Sequence, residues 1–210
     1  RWSGTAGDIG RQMAAGFPGR MTGPESRYLL RWRGWRSDPS VVSRAREIAV
    51  TLDRAWPPLL AEVESFAAAL SVDPRAVLAD WAAPPARPRQ GGRSCTVFWL
   101  PPGLTRRGRP LVGRNYDLRM RGPDRQFIYT EPRYGLAHAG MGGRSGRAEG
   151  INSAGLVVGT TEAQVREELL SAAEGPAAHG ERIGGKGAAS GAVPARLATR
   201  IVLETCRTVD

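Results

Sequence analysis

The sequence predicts an α+β fold in which a helical N-terminal part precedes a strand-rich C-terminal part. Three observations carry this prediction. Apolar residues recur at helical spacing up to about Asp80, a segment rich in Pro, Gly and Arg follows over residues 82–94, and β-branched and aromatic runs come after it. A chain of 210 residues, 41% of them hydrophobic, is long enough to bury a sizeable core.

Two Asp-Pro pairs mark the predicted helix starts in the N-terminal part. An Asp that caps a helix and a Pro in its first turn are typical of helix N-termini, and the chain has this pattern at Asp38-Pro39 and Asp73-Pro74. Apolar residues at helical spacing predict helices over Val41–Leu52 and Leu59–Leu70, and a short third helix runs from Asp73 through Ala79.

Beyond the Pro-rich segment the pattern changes to short strands. These runs are β-branched or aromatic and are separated by turn residues. The predicted strands are Thr96–Leu100, Pro110–Leu118, Gln126–Thr130 and Ala137–Met141, while Gly150–Thr161 forms a turn that leads into a strand. A helix that opens at Pro194 is predicted near the end of the chain.

The charge first suggests a nucleic-acid ligand. The formal net charge is +10, and 29 of the 30 basic residues are arginine. The densest cluster, in which Trp32 and Trp35 interleave, is Arg27, Arg31, Arg33 and Arg36. The arginines are nevertheless spread over the whole chain and no nucleic-acid-binding motif is present, so a solvated basic surface is the favoured interpretation.

Composition also excludes several other classes. No segment approaches the roughly 18 apolar residues of a membrane-spanning helix, and the first residues do not resemble a signal peptide. Cys95 and Cys206 are the only cysteines, and His138 and His179 the only histidines, so neither a disulfide framework nor a structural zinc site is expected. We predict no metal or redox cofactor, no membrane partner, and a cytoplasmic location by default.

Four polar residues form the candidate catalytic set. Cys95 lies where the Pro-rich segment meets the first predicted strand, and Arg114 and Asp117 follow in the second. A thiolate is the effective nucleophile, and a nearby guanidinium lowers the pKa of a thiol. Asn152 follows further along the chain, and a side-chain amide can donate a hydrogen bond to a developing oxyanion.

These motifs resemble those of N-terminal-nucleophile hydrolases with a cysteine nucleophile. The closest resemblance is to the penicillin acyltransferase branch, peptidase family C45, with choloylglycine hydrolases more distant. It rests on Cys95-Thr96, on Gly113-Arg114-Asn115-Tyr116-Asp117, and on Gly150-Ile151-Asn152-Ser153-Ala154-Gly155-Leu156. It implies a partial αββα sandwich preceded by a helical prosegment: residues 1–94, with the linker at 82–94, would be the prosegment, and residues 95–210 the first part of the catalytic domain.

The resemblance also implies a mechanism. Cleavage of the Ser94–Cys95 bond would free the α-amine of Cys95 as general base for its own thiol, which would then attack an amide or thioester bond. Asp117 would orient the amine, Asn152 would stabilise the oxyanion, and Tyr116 and Tyr129 would line an acyl pocket. Coenzyme A thioesters are acyl donors by this resemblance, and the partner is a small amide or acyl thioester rather than nucleic acid.

Two departures from the family pattern are visible. Ser94 stands where the family usually has Gly, which would slow self-cleavage. The family's later strands and a downstream catalytic Asn would lie beyond Asp210, so this chain is expected to hold only part of the site and could lack activity by itself. The prosegment and the catalytic segment are expected to stay associated after cleavage.

Other interpretations stay open at this point. Cys95 could be a buried structural thiol, Arg114 and Asp117 a surface ion pair, and Asn152 a turn residue. Two alternative functions are a conventional cysteine hydrolase with His138 or His179 as base, and a basic nucleic-acid-binding module.

Overall fold

A computed structural model describes residues 1–16, 38–82, 95–116, 126–142, 146–147, 149–160 and 193–209. The chain forms two compact units. The first comprises Arg1–Arg87, Met120–Thr160 and Gly191–Asp210, and the second Pro88–Arg119 and Thr161–Ser190. The protein is α+β, as predicted, because the described part of the first unit holds both helices and a β-sheet.

The described α-helices all belong to the first unit. They are α1 (Ala6–Gly16), α2 (Pro39–Ala55), α3 (Pro57–Ala69), α4 (Pro74–Ala82) and α5 (Ala195–Thr205). Asp38 caps α2 by accepting a hydrogen bond of 2.9 Å from the backbone N–H of Ser40. Asp73 does the same for Arg75 at 2.8 Å. Both Asp-Pro predictions are confirmed, and α4 runs three residues beyond the predicted Ala79.

The first unit also contains a five-stranded sheet. Its strands, in their order across the sheet, are β1 (Trp2–Gly4), β4 (Gln126–Pro132), β5 (His138–Gly142), β6 (Glu149–Asn152) and β7 (Val157–Gly159). Strand β1 was not predicted from the sequence. It pairs parallel with β4, Trp2 opposite Thr130, whereas the other pairs are antiparallel.

The segment predicted as a turn into a strand is a β-hairpin. Strands β6 and β7 pair with Ile151 opposite Val157, and Gly155 adopts φ +88° in the connection, a conformation that favours glycine. The backbone N–H of Asn152 donates to the Leu156 carbonyl at 3.0 Å and so closes the turn.

The two faces of the sheet differ because side chains alternate along each strand. One face packs on the helices and buries Trp2 and Ile128 in a core with Ile9, Met13, Phe66 and Leu197. The other face leaves large apolar side chains exposed: Phe127 at 71%, Tyr129 at 41%, Ile151 at 46% and Val157 at 40%.

The described part of the second unit is an antiparallel hairpin. Strands β2 (Cys95–Leu100) and β3 (Leu111–Tyr116) pair with Cys95 opposite Tyr116 and Val97 opposite Arg114. A short 3₁₀ helix over Pro102–Leu104 begins the connection. Within the part of the chain that the structure describes, no helix is long and apolar enough to cross a membrane.

Gly10 allows close contact between α1 and α3. A Cβ added there would lie 2.4 Å from the backbone oxygen of Glu62 and 2.8 Å from the backbone nitrogen of Phe66. Helix α3 would have to move to make room, since backbone atoms cannot rotate away.

We expect Gly10→Ala to lower the free energy of unfolding by about 1–3 kcal/mol, the usual cost of overpacking, despite alanine's better helix propensity. The control is Gly7→Ala on the same helix, where the nearest atom to an added Cβ is the flexible end of Arg11 at 3.3 Å. Gly7→Ala should be neutral or stabilising by up to about 1 kcal/mol. Urea unfolding measures both, and equal shifts of the two variants would contradict the packing described.

Candidate active site

The β2–β3 hairpin carries two members of the predicted catalytic set. Strand β2 begins at Cys95, and Arg114 on β3 pairs with Val97, two positions from Cys95. Alternation therefore places positions 95, 97 and 114 on one face of the hairpin, with 95 and 114 diagonal neighbours. Arg114 is half-buried. That Arg114 influences the thiol of Cys95 stays a prediction.

Several residues and segments that the sequence analysis singled out lie outside the described residues. They are Ser94, Asp117, His179, the linker over residues 83–94 and the Arg27–Arg36 cluster. Tyr116 forms the backbone pair of Cys95. Tyr129 belongs to the first unit, on the exposed face of the sheet, where the guanidinium of Arg1 lies 5.7 Å from its ring centroid.

Asn152 ends β6 and is buried, at 5% exposure. Its Nδ2 donates to the backbone carbonyls of Leu203 at 3.1 Å and Cys206 at 2.7 Å. Its Oδ1 accepts from the backbone N–H groups of Ala154 at 3.1 Å and Leu156 at 3.0 Å. The side chain thus joins the β6–β7 turn to the C-terminal end of α5, and both amide hydrogens are engaged. Its assignment as an oxyanion donor stays a prediction.

Cys206 lies just beyond α5 and is half-buried. Its backbone N–H caps α5 by bonding to the Val202 carbonyl. Its thiol lies 3.5 Å from the hydroxyl of Thr205. None of these contacts points to a chemical role for this cysteine.

His138 is the described histidine, and its environment does not suit a general base. The side chain is 1% exposed, and Nδ1 lies 3.2 Å from the Leu136 carbonyl oxygen. Burial and the charges of Arg200 and Arg147 lower its pKa to about 2. A base that accepts protons near neutrality needs a pKa close to the working pH. The geometry therefore weighs against a hydrolase that uses His138 as base.

The sequence did not predict a buried ion cluster between α3 and α5. Glu62 of α3 and Arg200 of α5 are both fully buried, and Glu204, one turn beyond Arg200, is 1% exposed. The Arg200 Nη2 lies 2.8 Å from Glu62 Oε2 and its Nη1 3.3 Å from Glu62 Oε1, while its Nε lies 2.5 Å from Glu204 Oε1. One guanidinium thus binds two carboxylates.

Two aromatic side chains complete the cluster. The indole Nε1 of Trp56 donates to Glu204 Oε2 at 2.7 Å, and the hydroxyl of Tyr134 donates to Glu62 Oε2 at 3.3 Å. Their rings meet edge to face, with centroids 6.1 Å apart. Both carboxylates therefore have partners beyond Arg200, as buried charges require.

Burial and the neighbouring charges shift the pKa values of Glu62 and Arg200 in opposite directions. Burial raises the pKa of Glu62, and the positive charge of Arg200 offsets part of that rise. Burial alone would lower the pKa of Arg200, but the charges of Glu204 and Glu62 outweigh it and raise that pKa instead. Arg200 is therefore a permanent cation, and its two carboxylate partners are what make its burial tolerable.

A second buried arginine, Arg147, contacts Thr130, Trp2 and the backbone of α5. Its Nη2 donates to the Thr130 hydroxyl at 2.8 Å, and its guanidinium lies 5.5 Å from the centroid of the Trp2 ring. Its backbone N–H donates to the Arg196 carbonyl of α5 at 2.9 Å. Among the described residues, no group of three His, Cys, Asp or Glu side chains could hold a metal ion.

The sequence contained one signal for the cluster. Glu62 occupies the apolar face of α3, three residues after Leu59 and four before Phe66, and Arg200 is three residues from both Leu197 and Leu203. A charged residue on an apolar helical face indicates a buried ion pair, although it does not identify the partner.

The low pKa of His138 predicts a pH-dependent stability. Below about pH 6.5 the unfolded chain binds a proton at this histidine that the folded protein does not, so the free energy of unfolding falls as pH falls. Between about pH 6.5 and 4.5 the protein should lose roughly 2–3 kcal/mol more than His138→Asn, which retains a donor for Leu136. Urea unfolding at several pH values tests this, and parallel profiles for the two proteins would contradict it.

Comparison with known proteins identifies the family. A family model described as acyl-coenzyme A:6-aminopenicillanic acid acyl-transferase matches residues 104–210. The match includes Arg114, Asp117 and Asn152 and begins after Cys95. Searches of curated proteins and of solved structures gave no significant match. Since the family model covers just over half of the chain, the protein belongs to the acyl-coenzyme A:6-aminopenicillanic acid acyltransferase family, which is of the N-terminal-nucleophile hydrolase type.

Proposed function

We propose that the protein is a self-processing cysteine amidohydrolase or acyltransferase that acts on amide or thioester bonds through an acyl-enzyme on Cys95. The observation that carries the proposal is the register of the β2–β3 hairpin. Cys95 is the first residue of its strand, and Arg114 lies two positions along on the neighbouring strand. Family membership supports an enzyme of the acyltransferase or hydrolase type.

Self-processing begins with the thiol of Cys95. The sulfur attacks the carbonyl carbon of Ser94, and the peptide C–N bond breaks as its nitrogen takes a proton, which leaves a thioester and a free α-amine. Water then hydrolyses the thioester, so that Ser94 ends in a carboxylate and Cys95 regains its thiol. Residues 1–94 become a separate chain. The proposed cleavage between residues 94 and 95 therefore does not coincide with a boundary between the compact units. The first unit contains residues from both sides of the cleavage site.

Catalysis then uses both the α-amine and the thiol of Cys95. The α-amine, with an ordinary pKa of about 8, takes the thiol proton as the sulfur attacks the substrate carbonyl. The same proton passes to the leaving amine or thiol as the C–N or C–S bond breaks. Water or an acceptor amine next attacks the Cys95 thioester, completes the transfer of the acyl group and restores the thiol.

The remaining residues assist these steps. We assign Arg114 to favour the thiolate, Asp117 to orient the α-amine, and Tyr116 and Tyr129 to line the acyl pocket. Asn152 donates to the oxyanion, for which one of its hydrogen bonds to Leu203 or Cys206 must be exchanged for the substrate oxygen. The residues assigned here require no metal ion, and coenzyme A thioesters are the acyl donors that the family name suggests.

The exposed face of the five-stranded sheet supports an αββα sandwich. Helices cover one face, while Phe127, Tyr129, Ile151 and Val157 remain exposed on the other. A sheet with a large apolar face is stable in water only when a second layer covers it, and a second β-sheet is the usual partner. We propose that such a layer completes the catalytic domain, with residues 1–94 as its helical prosegment, and that the enzyme works in the cytoplasm.

The two cysteines of the chain allow a matched test. Mass spectrometry of the full-length protein should find a chain that begins at Cys95, and Cys95→Ala should abolish both this cleavage and amide or thioester hydrolysis. Cys206→Ala should retain both, because Cys206 has no part in the mechanism. Cleavage or hydrolysis that survives in Cys95→Ala would disprove the mechanism.

A further inference from the structure

Helix α5 supplies the hydrogen-bond acceptors for Asn152. The last carbonyl groups of a helix have no partner within the helix, so they need donors from elsewhere. The amide of Asn152 meets this need at Leu203 and Cys206, at 3.1 and 2.7 Å. The backbone N–H of Leu136 donates to the Glu204 carbonyl between them, at 2.8 Å. The position of the Asn152 side chain is therefore tied to the position of α5.

The same helix is fixed on its other side by the N-terminal helices. Arg200 binds both oxygens of Glu62 on α3, and Glu204 accepts the indole hydrogen bond of Trp56, which lies between α2 and α3. The side chains of Glu62, Arg200 and Glu204 are buried, so water cannot replace their contacts at low cost. Arg200 and Cys206 are six residues apart, or about 9 Å along the chain at the rise of an α-helix.

We propose that Glu62 and Arg200 are positioning residues for Asn152. The N-terminal helices hold α5 through the buried ion cluster, and α5 holds the carboxamide of Asn152. This inference rests on the proposed function, in which Asn152 takes part in catalysis. It implies that residues 1–94 remain a working part of the enzyme after Ser94–Cys95 is cleaved.

A small displacement of α5 is enough to lower the catalytic rate strongly. Glu62→Gln removes one of the two negative charges that bind Arg200 but keeps the shape of the side chain. Arg200 is then attracted to Glu204 on its own helix and no longer to a charge on α3. Catalytic groups misplaced by about 1 Å can cost about a hundredfold in rate, so we expect the kcat of Glu62→Gln to fall by about tenfold to a hundredfold with little change in KM.

The two asparagines of the chain make the coupling directly observable. Asparagine labelled with ¹⁵N at the side-chain amide gives one pair of NMR signals each for Asn115 and Asn152. In Glu62→Gln the Asn152 pair should shift and exchange with solvent faster, and the Asn115 pair serves as the internal reference. The matched control is Glu47→Gln, which removes a partly exposed carboxylate of α2 that lies 3.5 Å from Arg44 and should alter neither pair.

A milder variant covers the case in which Glu62→Gln does not fold. Trp56→Phe removes the hydrogen bond to Glu204 and keeps an aromatic ring, and it should shift the Asn152 pair in the same direction by a smaller amount. An unchanged Asn152 pair in a folded variant of either kind would overturn the proposal.

Kinetics of the full-length enzyme separate this inference from the proposed function. A reduced kcat in Glu62→Gln, with normal kcat in Glu47→Gln, supports the positioning role. A shifted Asn152 pair with unchanged kcat overturns it and leaves the chemistry of Cys95 intact. The chemistry itself fails if the wild-type protein is not cleaved before Cys95, or if Cys95→Ala retains cleavage or hydrolysis.

Discussion

The structure of the first unit depends on the burial of the Arg200 guanidinium between Glu62 and Glu204. A buried cation is tolerated only when charge and hydrogen-bond partners meet it in good geometry, because its hydration is lost. Satisfying Arg200 fixes α5 against α3, and satisfying its two carboxylates fixes Trp56 and Tyr134. We infer that the arrangement specifies one placement of these elements more strictly than apolar packing alone would.

The residues of the proposed catalytic apparatus belong to two different units. The proposed nucleophile Cys95 and Arg114 belong to a hairpin in which Cys95 pairs with Tyr116 and Val97 pairs with Arg114. Asn152 instead depends on α5, and through α5 on helices that precede the proposed cleavage site by at least two dozen residues. Strand β1, at the N-terminal end of the chain, also connects the N-terminal part to the sheet, since it pairs with β4. The N-terminal segment is therefore a structural part of the unit that holds Asn152.

Local features of the fold were predictable from the sequence, and distant pairings were not. The caps at Asp38 and Asp73 and the strands β2 to β5 follow from signals within a few residues of each other. Strand β1 is too short to show a period, and its partner lies more than 120 residues away. The Glu62–Arg200 pair spans 138 residues, and no spacing rule connects them. Cys95 and Arg114 were identified by motif, whereas the hydrogen bonds of Asn152 to α5 required the structure.

A double-mutant cycle between Glu62 and Arg200 tests most directly whether this pair holds α5 against α3. The free energies of unfolding of Glu62→Gln, Arg200→Gln and the double variant give the coupling energy between the two side chains. We predict a coupling of about 2 kcal/mol or more, since breaking a buried pair leaves an uncompensated charge. A coupling below about 0.5 kcal/mol, the range of independent sites, would contradict the central role of this interaction.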